Sequence, residues 1–168
     1  CGEGFKGKIN IRKIEIRRKT NMKLPFQIDL AGKVVVVTGA GGVICSVLAE
    51  AMAMTGAKVA LLDLNEDAAK KHADDITAKG YIAKGYKCNV LEKASVQAAR
   101  DQIAADFGTC DILINGAGGN NPKATTDDEY FVPEDLGQMK TFFDLDADGV
   151  SFVFSLNFMG TLIPTQVF

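Results

Sequence analysis

The chain has no tryptophan and a single histidine, His72, among its 168 residues. One histidine rules out the multi-histidine ligand sets of zinc enzymes. His72 sits beside Lys71 in a helical stretch with no Cys or His partner, so it reads as a partly exposed helix residue. The four cysteines, Cys1, Cys45, Cys88 and Cys110, show no CxxC spacing. No metal site or disulfide framework is therefore indicated, and reduced thiols in a cytoplasmic setting are the default. No uninterrupted apolar run is long enough to cross a bilayer, and the first residues lack the apolar core of a signal peptide. Neither a membrane nor a nucleic acid is expected as a partner.

What is present is enough to bury a core. Hydrophobic residues make up 47% and charged residues 24%, the balance of one globular domain or of a piece of a larger one. The net charge of −2 hides an asymmetry, because residues 1–23 carry eight Lys/Arg against Glu3 and Glu15. Such a basic arm can bind nucleic acid or act as a transit peptide. The simpler reading is a solvated or non-native leader, since Met22 opens a stretch that reads like a natural start. Residues 24–168 then form the folded part.

That part alternates strand and helix. Val34 to Thr38 is a β-branched run suited to a strand buried on both faces. Ile44, Val47, Leu48 and Ala51 recur at helical spacing, and Gly56 stops that helix. KVALLDL is a second buried strand. Asn65 caps a helix with Glu66 and Asp67 in its first turn, ending at Gly80. AKGYKCNV is a weaker third strand. Val96, Ala99, Ile103 and Phe107 stripe the next helix, and CDILIN is a fourth strand. The order βαβαβαβ predicts an α/β fold, a parallel sheet with helical crossovers. Residues 119–145 break this rhythm with a long polar segment, of the kind that is either functional or disordered. From about Asp146 a helix runs to the end, with Pro164 expected to bend it.

The strand–turn–helix at VVVVTGAGGVICS has the parts that hold a phosphate: exposed amides at a helix N-terminus, and glycines that let a ligand approach the backbone. Asp63 ends the second strand where a carboxylate accepts hydrogen bonds from an adenosine ribose diol. Leu64 follows it, with no nearby Arg to welcome a 2′-phosphate, which favours NAD over NADP. NGAGG, Asn115 to Gly119, follows the fourth strand, where glycines let the chain pass beside a bound cofactor. Asn115 could tie neighbouring strands together. Asn89, at the end of the third strand, could bond an adenine or simply close the strand.

Together these motifs resemble the short-chain dehydrogenase/reductase family. Thr38 to Ile44, Asp63, Asn89-Val90, Asn115 to Gly118 and Asn157 in LNFMGT match it in order, over about residues 28–168. Within the family, GGVICS, the GGNNPKATT loop and the last 27 residues, FFDLDADGVSFVFSLNFMGTLIPTQVF, resemble the D-mannonate oxidoreductase (fructuronate reductase) group. The resemblance implies a Rossmann-type doubly wound parallel sheet, here with strand order 3-2-1-4. It implies an NAD-dependent oxidoreductase of a sugar acid, and a homo-oligomer for the intact parent. Thr38, Gly39, Gly41, Gly42, Val43 and Ile44 would line the pyrophosphate, and Asp63 would hold the ribose. Asn115, Gly116, Ala117 and Gly118 would support the cofactor, and Asn157 would hold a water in a proton relay. By the same analogy the loop from Gly119 is a substrate lid, with Asn120, Asn121 and Lys123 meeting hydroxyls and carboxylate.

Two departures stand out. The commoner family pattern is T-G-x-x-x-G-x-G, and Val43 and Cys45 occupy its last two glycine positions. The family's chemistry also needs a Ser and a Tyr with a Lys four residues on, whereas Tyr81, Tyr86 and Tyr130 are followed at that spacing by Gly85, Val90 and Glu134. The chain is therefore read as a catalytically incomplete N-terminal part, expected to bind NADH weakly or not at all and to turn over nothing. Asp144 to Gly149, DLDADG, imitates half of a calcium loop, but Ser155 stands where a bidentate Glu belongs. A helix N-cap is the expectation there. Two other readings stay open: a non-enzymatic NAD-binding module, and another Rossmann-type enzyme such as a methyltransferase.

Overall fold

In the computed structural model, residues 28–168 are described; the basic leader lies outside the described residues. Four short runs of strand-forming residues build one parallel sheet: β1 (Val34–Thr38), β2 (Lys58–Asp63), β3 (Ile82–Lys87) and β4 (Ile112–Ile114). Their order is β3-β2-β1-β4, as expected. The order reverses direction at β1, so a crevice opens between the carboxyl ends of β1 and β4, where such sheets bind ligands.

Every residue of β1 is buried, which fits its place between β2 and β4. Val35 and Val37 face one cluster, with α1 (Val43–Met54) and α2 (Glu66–Thr77). Val34 and Val36 face the other, against α3 (Lys93–Asp106). Each buried valine contributes roughly 1.5–3 kcal/mol relative to exposure. All three helices are followed by a glycine with positive φ: Gly56, Gly80 and Gly108. Val96, Ala99 and Ile103 are buried on α3 with Phe107 packed beside them, as their spacing predicts.

On α1 the outcome differs from the spacing argument. Ile44, Val47, Leu48 and Ala51 lie on the exposed side, and the buried residues are Cys45, Ala49 and Ala53. The physical reason is close packing: a helix lying directly on β1 accepts only small side chains. The large apolar residues are left on the outer surface.

The polar segment after β4 is folded rather than open. It carries three short 3-10 turns, Pro122–Ala124, Pro133–Asp135 and Phe142–Asp144. Its ends meet where Asp146 N–H donates to the Lys123 carbonyl at 3.0 Å, and its middle is closed by Asp127 N–H to the Lys140 carbonyl at 2.9 Å. Asp146 then caps α4 (Ala147–Phe154) by accepting from Gly149 N–H at 2.8 Å, the expected N-cap.

The last helical run does not break at Pro164, which lies inside α5 (Gly160–Val167). The departure from α geometry is a π-turn at Ser155–Met159. From Ala147 to Val167 the run has the length and mean hydropathy (1.3) of a membrane span, although charged and polar residues interrupt it. Here Leu156, Ile163 and Val167 pack against the cluster that includes Val96, Ala99 and Ile103.

Candidate functional site

The site grows from the end of β1. Gly39 turns the chain with φ +68, and a Cβ there would lie 2.8 Å from the Gly116 carbonyl oxygen and the Ala117 backbone. Gly41 N–H donates to Asp63 Oδ2 at 2.9 Å, and Asn65 N–H donates to Asp63 Oδ1 at 2.9 Å. The carboxylate at the end of β2 is thus held against the glycine turn. Gly42 enters α1 in extended geometry (φ −83, ψ 158) with no side chain capping the helix. The first-turn amides therefore carry the positive end of the helix dipole without a side-chain acceptor, an arrangement that favours an anion. Val43 and Ile44 begin the helix with 82% and 77% of their surface exposed.

Across the crevice, Thr38 is fully buried. Its Oγ1 accepts from both Gly116 N–H and Ala117 N–H at 3.1 Å. Thr38 therefore braces the β4 exit from below. A groove of about 210 Å³ runs between these two edges, lined by Gly39, Asp63, Asn89, Val90, Ala117 and Gly118 together with Leu64, Cys88 and Leu156. A larger groove, about 380 Å³, lies between α1 and α2 beside His72. It is crossed by the Lys79–Glu50 ion pair at 2.6 Å.

The expected residues fall as follows. Gly39, Asp63, Ala117 and Gly118 line the groove, Gly41 bonds to Asp63 and Gly116 to Thr38, while Gly42, Val43 and Ile44 stand at the start of α1, the last two with exposed side chains. Asn89 lines the groove, but its amide is engaged locally: Oδ1 accepts from Leu91 N–H at 3.1 Å and Nδ2 donates to Glu92 at 2.8 Å. Asn115 reaches a helix rather than a strand, donating from Nδ2 to Thr165 Oγ1 at 3.0 Å. Its buried Oδ1 has no hydrogen-bond partner among the described residues. Asn157 sits in the π-turn and grips Gly119 twice, donating from Nδ2 to its carbonyl and accepting at Oδ1 from its N–H, each at 3.0 Å. Asn120 and Asn121 spend side-chain groups on the turn itself, Asn120 Nδ2 donating to Thr125 and Asn121 Oδ1 accepting from Lys123 N–H.

One residue escapes a reading of motifs alone. Glu92 fixes which way the Asn89 amide points, because a carboxylate only accepts; the three-residue spacing in NVLE is the signal. Cys45, at a position where the family commonly has glycine, is small enough for the close helix–strand packing expected there and lays its sulfur on Gly116. Burial, and secondarily the negative charge of Asp63, push the Cys45 thiol upward. Burial pushes Cys88 up to about 11, opposed by a hydrogen bond with Ser95. Both thiols are neutral near pH 7 and neither is an activated nucleophile.

This crevice, with a carboxylate beside an uncapped helix end at the switch in strand order, is that of a dinucleotide-binding Rossmann-type sheet. Residues 33–168 match the family model for short chain dehydrogenase, and the chain belongs to that family of oxidoreductases. It is 55% identical over 147 residues to an uncharacterized oxidoreductase of Haemophilus influenzae, covering 88% of this chain and 52% of that one. Among solved structures, it is 57% identical, with a TM-score of 0.81, to a Haemophilus protein provisionally assigned as a D-mannonate oxidoreductase and holding NAD; the match covers 84% of this chain and 50% of that one. A short-chain dehydrogenase/reductase from Burkholderia phymatum in complex with NAD is 30% identical with a TM-score of 0.67, over 85% of this chain and 44% of that one. The chain thus spans about half the length of the curated relatives it matches. Family membership sets aside the methyltransferase reading.

Proposed function

We propose that this chain holds NAD in the crevice between β1 and β4, and that the whole protein uses it to oxidise or reduce a sugar acid. Fructuronate and mannonate are the first pair to test. The observation that carries the cofactor reading is Asp63. Its carboxylate lies at the end of β2, bonded to the glycine turn at 2.9 Å, where both ribose hydroxyls of an adenosine can donate to it. The same negative charge disfavours a 2′-phosphate, so NAD is the nucleotide proposed. Gly41, Gly42, Val43 and Ile44 present backbone to the pyrophosphate, while Asn89 and Val90 flank the adenine side. Asn115 to Gly118 form the opposite wall.

NAD, when bound, would accept hydride from the carbinol carbon of the sugar acid in the oxidising direction, and the hydroxyl proton would pass to a base. The Ser and Tyr-x-x-x-Lys that do this in the family are not among these 168 residues. Asn157 is the residue here assigned to the relay, held by Gly119 so that its backbone stays in the π-turn. Asn120, Asn121 and Lys123 are assigned to the substrate side of the loop.

The acidic loop turns most of its carboxylates to its own backbone, where they keep their negative charge. Of the eight acids in residues 127–148, five (Asp127, Asp128, Asp135, Asp144 and Asp146) accept hydrogen bonds from backbone amides of the loop or of α4. They serve as caps and turn braces. The identity of the sugar acid rests on the similarity to the Haemophilus protein.

Assaying the whole protein with NAD and D-mannonate, and in reverse with fructuronate and NADH, tests the substrate. Mannonate-dependent NADH formation is expected. Turnover of neutral polyols with none of sugar acids would contradict the sugar-acid assignment. The 168-residue chain alone should form no NADH. A non-enzymatic NAD-binding role would instead show binding with no turnover by the whole protein.

A further inference from the structure

We propose that Cys45 and Gly116 form a size-matched pair that sets the spacing between the glycine turn and the β4 exit, and that Cys45 is thereby a positioning residue for the dinucleotide crevice. The proposal rests on the NAD reading above for its functional half only.

The two walls must approach closely, because α1 lies directly on the sheet. The more usual solution is a glycine on the helix. Here the helix carries Cys45 and the strand exit carries the glycine. A Cβ on Gly116 would overlap Cys45 Sγ and come within 2.9 Å of the Thr38 carbonyl oxygen. The space a side chain would occupy on β4's exit is therefore filled by sulfur from α1. The thiol also points its S–H at the Gly116 carbonyl, Sγ to O 3.7 Å, a weak but directional contact.

The peptide between Gly116 and Ala117 is consequently gripped on several sides. Thr38 Oγ1 holds both flanking N–H groups. Gly39 abuts the carbonyl and the Ala117 backbone, and Cys45 closes the remaining side. With its thiol neutral and 9% exposed, Cys45 acts through shape rather than reactivity. A larger residue at 116 would push the β4 exit away from the glycine turn. A smaller one at 45 would leave a gap that lets it drift. Swapping both sizes at once should relieve the overlap with sulfur and leave only the close approach to the Thr38 carbonyl.

The test is a double-substitution cycle on the 168-residue chain: C45G, G116A, and C45G/G116A, each followed by urea unfolding and by NMR titration with NADH and with AMP. G116A is expected to weaken NADH binding by about tenfold, the scale of one overpacked methyl group. AMP, which lacks the bridging pyrophosphate and nicotinamide half, should lose no more than about twofold on the same reasoning. The double variant should recover part of the NADH binding lost in G116A, because the Thr38 carbonyl still crowds the new methyl group. Its urea midpoint should lie above the value that adding the two single effects gives.

Equal loss of AMP and NADH in G116A would overturn the positioning role. Additive midpoints in the cycle would overturn the contact itself. If the parent chain binds neither ligand while the midpoints are coupled, the NAD reading fails and the packing pair stands.

Discussion

At the scale of single residues, the acid–base groups of this chain serve packing more than chemistry. Tyr86 is buried on β3, and its hydroxyl donates to Asp106 Oδ2 at 2.8 Å. Burial first, and then that carboxylate, hold the Tyr86 phenol well above its ordinary value of 10.0. Burial holds Cys88 up at about 11, above an ordinary 9.0. Both groups stay protonated in the folded chain at pH values where the unfolded chain has lost the proton. Their contribution is therefore complete below pH 9 and declines as pH rises from 9 through the folded values. Urea midpoints should be level near neutrality and fall steadily above that point. Tyr86→Phe should flatten the upper part of the fall. A midpoint that does not change with alkaline pH would contradict this assignment.

At the scale of elements, one hydroxyl links β1 to the β4 exit. Thr38→Val keeps the shape of this buried residue but removes the acceptor for Gly116 N–H and Ala117 N–H. Leaving buried donors unpaired costs about 1–3 kcal/mol. Equilibrium unfolding should show a loss of that size for Thr38→Val and a much smaller one for Thr38→Ser. Equal losses would point to the methyl group rather than the hydroxyl. The elements themselves were legible in the sequence wherever one local rule governed them. The valine run of β1, the Asn65 and Asp146 caps and the closing glycines each follow from a short stretch. The face of α1 was not legible, because Ile44, Val47, Leu48 and Ala51 satisfy helical spacing as well as Cys45, Ala49 and Ala53 do. Only the closeness of the sheet decides between large and small. The π-turn was equally hidden: Pro164 is a visible helix disruptor, yet the irregular turn falls at Ser155–Met159, where Asn157 bonds to Gly119.

At the scale of the whole molecule, the candidate site is built from residues far apart in sequence. The glycine turn, Asp63, Asn89 and Gly116 to Gly118 come from the carboxyl ends of all four strands. Their order along the chain was enough to suggest the family. Local engagements were not visible at that level, among them the Asn89 amide fixed by Glu92 and Thr38 turned inward beneath Gly116. Among the described residues β4 pairs with β1 alone, and Asn115 Oδ1 is buried without a hydrogen-bond partner. α1 also presents Val43, Ile44 and Val47 on its outer face.

The central claim is that the crevice between β1 and β4 receives NAD. The most direct measurement is an amide NMR titration of the 168-residue chain with NAD. The account predicts saturable shifts, even at weak affinity, concentrated at Gly39 to Cys45, Asp63 to Asn65, Asn89 to Leu91 and Gly116 to Gly119, and their loss in Asp63→Ala. Shifts confined to the groove between α1 and α2, or none at millimolar NAD, would contradict it.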